Sequence, residues 1–139
     1  MTTPVPRGIR NNNPGNIRKS AIVYRGESGG SDPDFKTFIS PTYGIRAIAV
    51  ILLAYQKEHG LATIRQMISR WAPASENDTD AYVSDVAAEA GIGPDESVTL
   101  CTQSDILGSL IEAIIHHENG QQPYPQATVA VAVELAIAA

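Results

Sequence analysis

One carboxylate in this chain is placed for proton transfer. In the run QSDILGSLIEAIIHHE (Gln103–Glu118), Ile106, Leu107, Leu110, Ile111, Ile114 and Ile115 recur at helical spacing and form a single apolar stripe. Glu118 follows Ile114 and Ile115 at helical spacing and falls on the same stripe, and Asn119-Gly120 stops the helix behind it. A carboxylate there is desolvated by the helix's buried face and meets the negative end of its dipole. Both effects raise a pKa. A general acid that protonates a glycosidic oxygen near neutral pH needs such a setting. The plainer alternative is a rim residue that only suits the end of the helix.

Glycoside cleavage often uses a second carboxylate across a sugar cleft. Glu27, in the glycine-rich turn Gly26–Gly30, is the expected partner, because glycines let a substrate approach the backbone closely. The other reading of Glu27 is an exposed turn residue. Asp32, Asp34, Glu76, Asp78, Asp95 and Glu96 are the remaining acids outside helix interiors. His116 and His117, with His59 elsewhere, do not make a metal site, since adjacent side chains on a helix point about 100° apart. The chain has no HExxH, phosphate-binding glycine loop or nucleophile elbow, and the chemistry calls for no cofactor and no metal. Trp71 and Tyr82 suit a core, but Trp71-Ala72-Pro73 at a helix end also suits the wall of a groove.

The elements that must hold these residues are mostly helices. Helices are expected over Tyr43–His59, Thr63–Trp71, Asp80–Ala90 with Asp78-Thr79 as cap, Gln103–Glu118 with Ser104 as cap, and Gln126 to about Ala138 after Pro125. The alternating Val and Ala of the last segment also fit a strand. Ala21–Tyr24 and Phe35–Ile39 read as two short strands joined by the Gly26–Asp34 turn, a small N-terminal β-hairpin. Residues 1–20 read as an ordered loop or a mobile arm, with residues 1–10 as the arm. The architecture is therefore mainly α with one small β element.

At 139 residues, with 43% hydrophobic and 18% charged content, the chain fits one folded domain, 1–139. Its formal net charge of −5 argues against a general nucleic-acid binder. Locally the balance reverses: Arg7, Arg10, Arg18, Lys19 and Arg25 lie in a stretch without an acid, which can face an anionic polymer or simply be solvated. Cys101 is the one cysteine, so no intrachain disulfide forms, and its apolar neighbours suggest a small core residue. The N-terminus lacks the pattern of a signal peptide, and no apolar run is long enough to span a membrane.

Four blocks in order carry a family resemblance: RNNNPGNIR (Arg10–Arg18), FKTFISPTYGIRA (Phe35–Ala47), TIRQMISRWAPASENDTDAYVSDV (Thr63–Val86) and AIIHHENGQQPY (Ala113–Tyr124). Together they resemble short phage and prophage proteins labelled structural or virion proteins, with lysozyme-like relatives. A more distant similarity is to flagellar-type N-acetylglucosaminidases and to goose-type lysozymes and lytic transglycosylases. Asn12–Ile17, Tyr24-Arg25-Gly26, Phe35–Ser40 and Ala74–Tyr82 look like successive motifs of those enzymes, while the acid-bearing helix stands at the back of this chain, not the front. The order resembles a circularly permuted α+β lysozyme-like fold, a rearrangement that close surface termini make easy.

The resemblance implies Glu118 as general acid with Tyr82 facing it, and substrate contacts from Asn13, Asn16, Tyr82, Trp71 and Asn119. Asn119 stands where those enzymes have Ser, and Tyr24 where they have Trp. The implied activity is that of a peptidoglycan-cleaving muramidase or lytic transglycosylase, an endolysin or virion-associated enzyme acting on glycan strands. It would sit in the virion, or in the host cytoplasm with delivery to the periplasm and wall. The alternative is a non-catalytic virion or tail protein that keeps the fold and has phage proteins as partners. A weaker third is a small regulatory phage protein that binds a host protein.

Overall fold

The apolar stripe that ends at Glu118 forms the buried axis of the molecule. The computed structural model describes residues 4–139. Its helices are α1 (Arg7–Arg10), α2 (Pro41–His59), α3 (Ile64–Trp71), α4 (Thr79–Ala90), α5 (Ser104–Asn119) and α6 (Gln126–Ile137). On α5, Leu107, Leu110, Ile111, Ala113, Ile114 and Ile115 are all 0% exposed. Burying each Leu or Ile contributes about 1.5–3 kcal/mol relative to leaving it in water. The helix packs against α4 on one side and α6 on another, with α2 also in contact; α2 lies along α6, and α3 against α4.

Local signals set the helix ends. The Thr63 side chain accepts from Gln66 N while Gln66 reaches back to Thr63 N, so α3 begins with a capping box. Asp78 accepts from Ala81 N at the start of α4. Gly60, Gly91 and Gly120 close α2, α4 and α5 in left-handed conformations. Gly120 N donates to His116 O at 2.8 Å, so α5 stops one residue past Glu118 and fixes where that carboxylate emerges. The expected Ser104 cap is not formed: Gln103 occupies the cap position and no side chain bonds there. Residues 126–137 settle as helix, in keeping with their alanine content.

The N-terminal segment departs from expectation. Among the described residues of this region no hairpin forms, and the pairing is limited to isolated antiparallel bridges, Arg18 with Phe35 and Glu27 with Phe38. Lys36 explains the difference. It is 3% exposed, and its Nζ donates to Ile22 O at 2.7 Å and to both oxygens of Glu27 at 3.0 and 3.1 Å. The carbonyl of Ile22 thus serves an ammonium group instead of a strand partner, and Ile22 and Val23 stay exposed.

The expected arm is also partly structured. Arg7–Arg10 forms α1, and Arg7 donates to Asp32 at 2.6 and 2.5 Å. Residues 4–6 of that arm are irregular, and residues 1–3 lie outside the described residues. Cys101 is exposed, not a core residue, because the turn after Leu100 turns it outward. Among the described residues no helix is long and apolar enough to cross a membrane.

Candidate active site

Glu118 is held by two side chains brought from distant parts of the chain. The Tyr82 hydroxyl donates to Oε2 at 2.8 Å, and Asn16 Nδ2 donates to Oε1 at 3.2 Å. Tyr82 projects from α4, where it is 1% exposed and stacked on His117 with ring centroids 3.6 Å apart. Burial, and next the Glu118 charge, push the Tyr82 phenol far above its ordinary pKa. It therefore acts as a fixed hydrogen-bond donor, not as a base.

Asn16 reaches Glu118 because its backbone is left-handed, with φ 50°. Asparagine tolerates that region better than most residues, and a strained residue at a site must be held by its surroundings. The clamp is Asn13, which is 0% exposed. Its side chain donates to Ile17 O and Lys36 O and accepts from Ile17 N. Asn119 ties the other side: its Nδ2 donates to Pro14 O at 2.8 Å and Ile115 O at 2.9 Å. Gly8 closes the cluster, since a Cβ there would lie 2.7 Å from both Asn16 Oδ1 and Asn119 Oδ1. Those two oxygens are buried and accept no hydrogen bond.

Glu118 opens onto a cleft of about 390 Å³. The cleft is lined by Gly15 to Arg18 and Phe35, by Ile51 and Tyr55 of α2, and by Trp71, Ala72, Glu76 and Asn77. A carboxylate with two donors, beside a cleft walled by aromatic and amide groups, can exchange a proton with a bound oligomer.

The residues expected from sequence separate into three groups. Glu118, Asn16 and Trp71 line the cleft, and Tyr82 meets Glu118 from behind. Asn13 and Asn119 do not line it: their amides bond to backbone, so they shape the site without facing substrate. Glu27 also lies outside the lining. It pairs with Lys36 and accepts from Tyr24 N at 2.5 Å. Asp32 is likewise occupied. The Arg7 guanidinium, followed by Asn11 and the backbone N–H groups of Phe35 and Asp34, holds its carboxyl far below the usual range.

His116 and His117 diverge, the first towards Glu89 and the second onto Tyr82. Glu76 and Asn77 also line the cleft, though neither is among the expected substrate contacts. Their one linear signal is an acid outside a helix, three residues past the Trp71-Ala72-Pro73 stop.

No family model matches the chain. Protein P5 of Pseudoalteromonas phage PM2 is 40% identical to it over 122 residues, covering 85% of this chain and 74% of that protein.

Proposed function

The chain belongs to the family of the phage Protein P5, and from that premise we propose that it is a phage protein that cleaves the glycan strands of peptidoglycan. The observation that carries the reading is the Glu118 carboxylate, held by Tyr82 and Asn16 beside the cleft. In its protonated form Glu118 gives its proton to the oxygen between N-acetylmuramic acid and N-acetylglucosamine as the glycosidic bond breaks. The resulting carboxylate is stabilised by the Tyr82 hydroxyl and the Asn16 amide. It then takes a proton from the incoming nucleophile, which is water in a hydrolase or the sugar's own 6-hydroxyl in a lytic transglycosylase.

Asn16 suits both states of Glu118. Its NH₂ faces the carboxylate, and rotation of the amide turns its unpartnered oxygen towards the carboxylic acid. No residue of the mechanism needs a metal or cofactor to perform these steps.

A second reading draws on the phage kinship itself: a non-catalytic virion or tail protein that uses the cleft for wall binding or assembly. Turbidity of purified cell walls separates the two. The wild type clears walls, and Glu118→Gln, which keeps shape but delivers no proton, loses about 10²–10⁴-fold in rate while folding normally. A Glu118→Gln protein that clears walls at the wild-type rate excludes Glu118 as the acid. A folded wild type that clears nothing favours the structural reading.

A further inference from the structure

The Phe35 ring carries two guanidinium groups with different fates. Arg7 lies 4.5 Å from its centroid and is neutralised by Asp32 and Asp34. Arg18 lies 5.1 Å from the same centroid, lines the cleft, and makes no ion pair among the described residues. Its backbone is fixed by the antiparallel bridge to Phe35, and the stacked ring limits where its head can go. Among the described residues lining the cleft Arg18 is the one base, set against Glu76 and Glu118. Arg18 is exposed, held over the Phe35 ring and free of an internal ion pair among the described residues, so its guanidinium is available to an anion that arrives with a ligand. Its planar fork suits a carboxylate in particular.

We infer that Arg18 recognises a carboxylate on the muramyl side of the bound strand and so selects acidic wall glycan over neutral chitin-type glycan. This rests on the wall-glycan reading above. The shared chemistry has two sources, a stem-peptide carboxylate or the lactyl carboxylate of a muramyl residue without its peptide. Arg18 acts here as a specificity residue and takes no part in proton transfer.

Retention on insoluble glycan tests this with Glu118→Gln as the parent, so that the material stays intact. Three materials are compared: intact sacculi, sacculi stripped of stem peptides by amidase, and chitin. Adding Arg18→Gln weakens retention on intact sacculi about tenfold, the worth of one charge-assisted contact, and changes retention on chitin less than twofold. Arg18→Lys restores part of it. An Arg18 effect on intact sacculi that disappears on stripped sacculi makes the stem peptide the partner. An effect that appears only on stripped sacculi, where amidase frees the lactyl carboxylate from its amide, makes the lactyl group the partner. An effect on both means that Arg18 takes whichever carboxylate the muramyl residue presents.

Equal retention of the parent and Arg18→Gln on both forms of sacculi overturns the inference, as does an equal loss on chitin. A parent that binds no wall material, together with a wild type that clears none, overturns this inference and the wall-glycan reading together. Binding that is indifferent to Arg18 overturns this inference alone. Circular dichroism confirms folding, which substitution of an exposed arginine leaves intact.

Discussion

The Tyr82 hydroxyl lies 2.8 Å from Oε2 of Glu118, so a side chain of α4 and the last turn of α5 meet at one hydrogen bond. The phenol has no route to solvent, and its raised pKa keeps the proton on its oxygen throughout the working pH range. Tyr82→Phe removes the donor and keeps the ring that stacks on His117. Wall clearance is expected to fall about tenfold, the worth of one hydrogen bond to a charged group. Clearance assays beside thermal melts check this, and an unchanged rate in a folded protein removes Tyr82 from the mechanism.

Glu27→Gln is expected to affect stability and not chemistry. Lys36 is nearly fully buried, and Glu27 is its carboxylate partner. Removing the charge leaves a buried ammonium with carbonyl partners only, at a cost of about 3 kcal/mol. Urea denaturation should show that loss, while the rate per folded molecule stays near wild type. A stable variant with no activity would instead return Glu27 to the catalytic step.

Asp32 gives the protein an acid-sensitive contact. Its folded pKa is depressed, chiefly by the Arg7 hydrogen bonds. The stabilisation is therefore complete above the unfolded carboxyl value of about 4 and is lost as pH falls from there towards the folded value. Asp32→Asn should lower stability at pH 7, and the gap from wild type should narrow below about pH 4. Denaturation midpoints measured from pH 7 to pH 3 test the sign; a gap that widens in acid contradicts it.

Under the proposed glycan-cleaving reading, Glu76 separates hydrolysis from lytic transglycosylation. It faces the cleft, but it is exposed and its side chain makes no hydrogen bond among the described residues. A catalytic carboxylate needs placement within about 0.5 Å. Glu76→Gln is therefore expected to retain most activity, with products ending in 1,6-anhydro-N-acetylmuramic acid. Mass spectrometry reads these as the loss of one water. Reducing-end products together with an inactive Glu76→Gln would establish a two-carboxylate hydrolase.

Helical periodicity and end signals located the five longer helices to within two residues at either end, because a buried stripe and a glycine stop are local properties of the chain. The same stripe singles out Glu118 from local sequence alone. Which residues face it was decided by packing. Asn16 and Tyr82 lie 102 and 36 positions away from Glu118, and only the docking of α4 and the N-terminal loop onto α5 brings them within hydrogen-bond reach.

The N-terminal region shows the limit from the other side. The alternation in Phe35–Ile39 fits half of a hairpin, yet burial of the Lys36 ammonium makes competing demands on nearby carbonyls, and Glu27 is taken up as its counter-ion. Residue type and spacing determine which groups are able to do chemistry. Which of them face the cleft, and which are consumed in holding it together, depends on long-range contacts whose energies are settled only when the whole chain has packed.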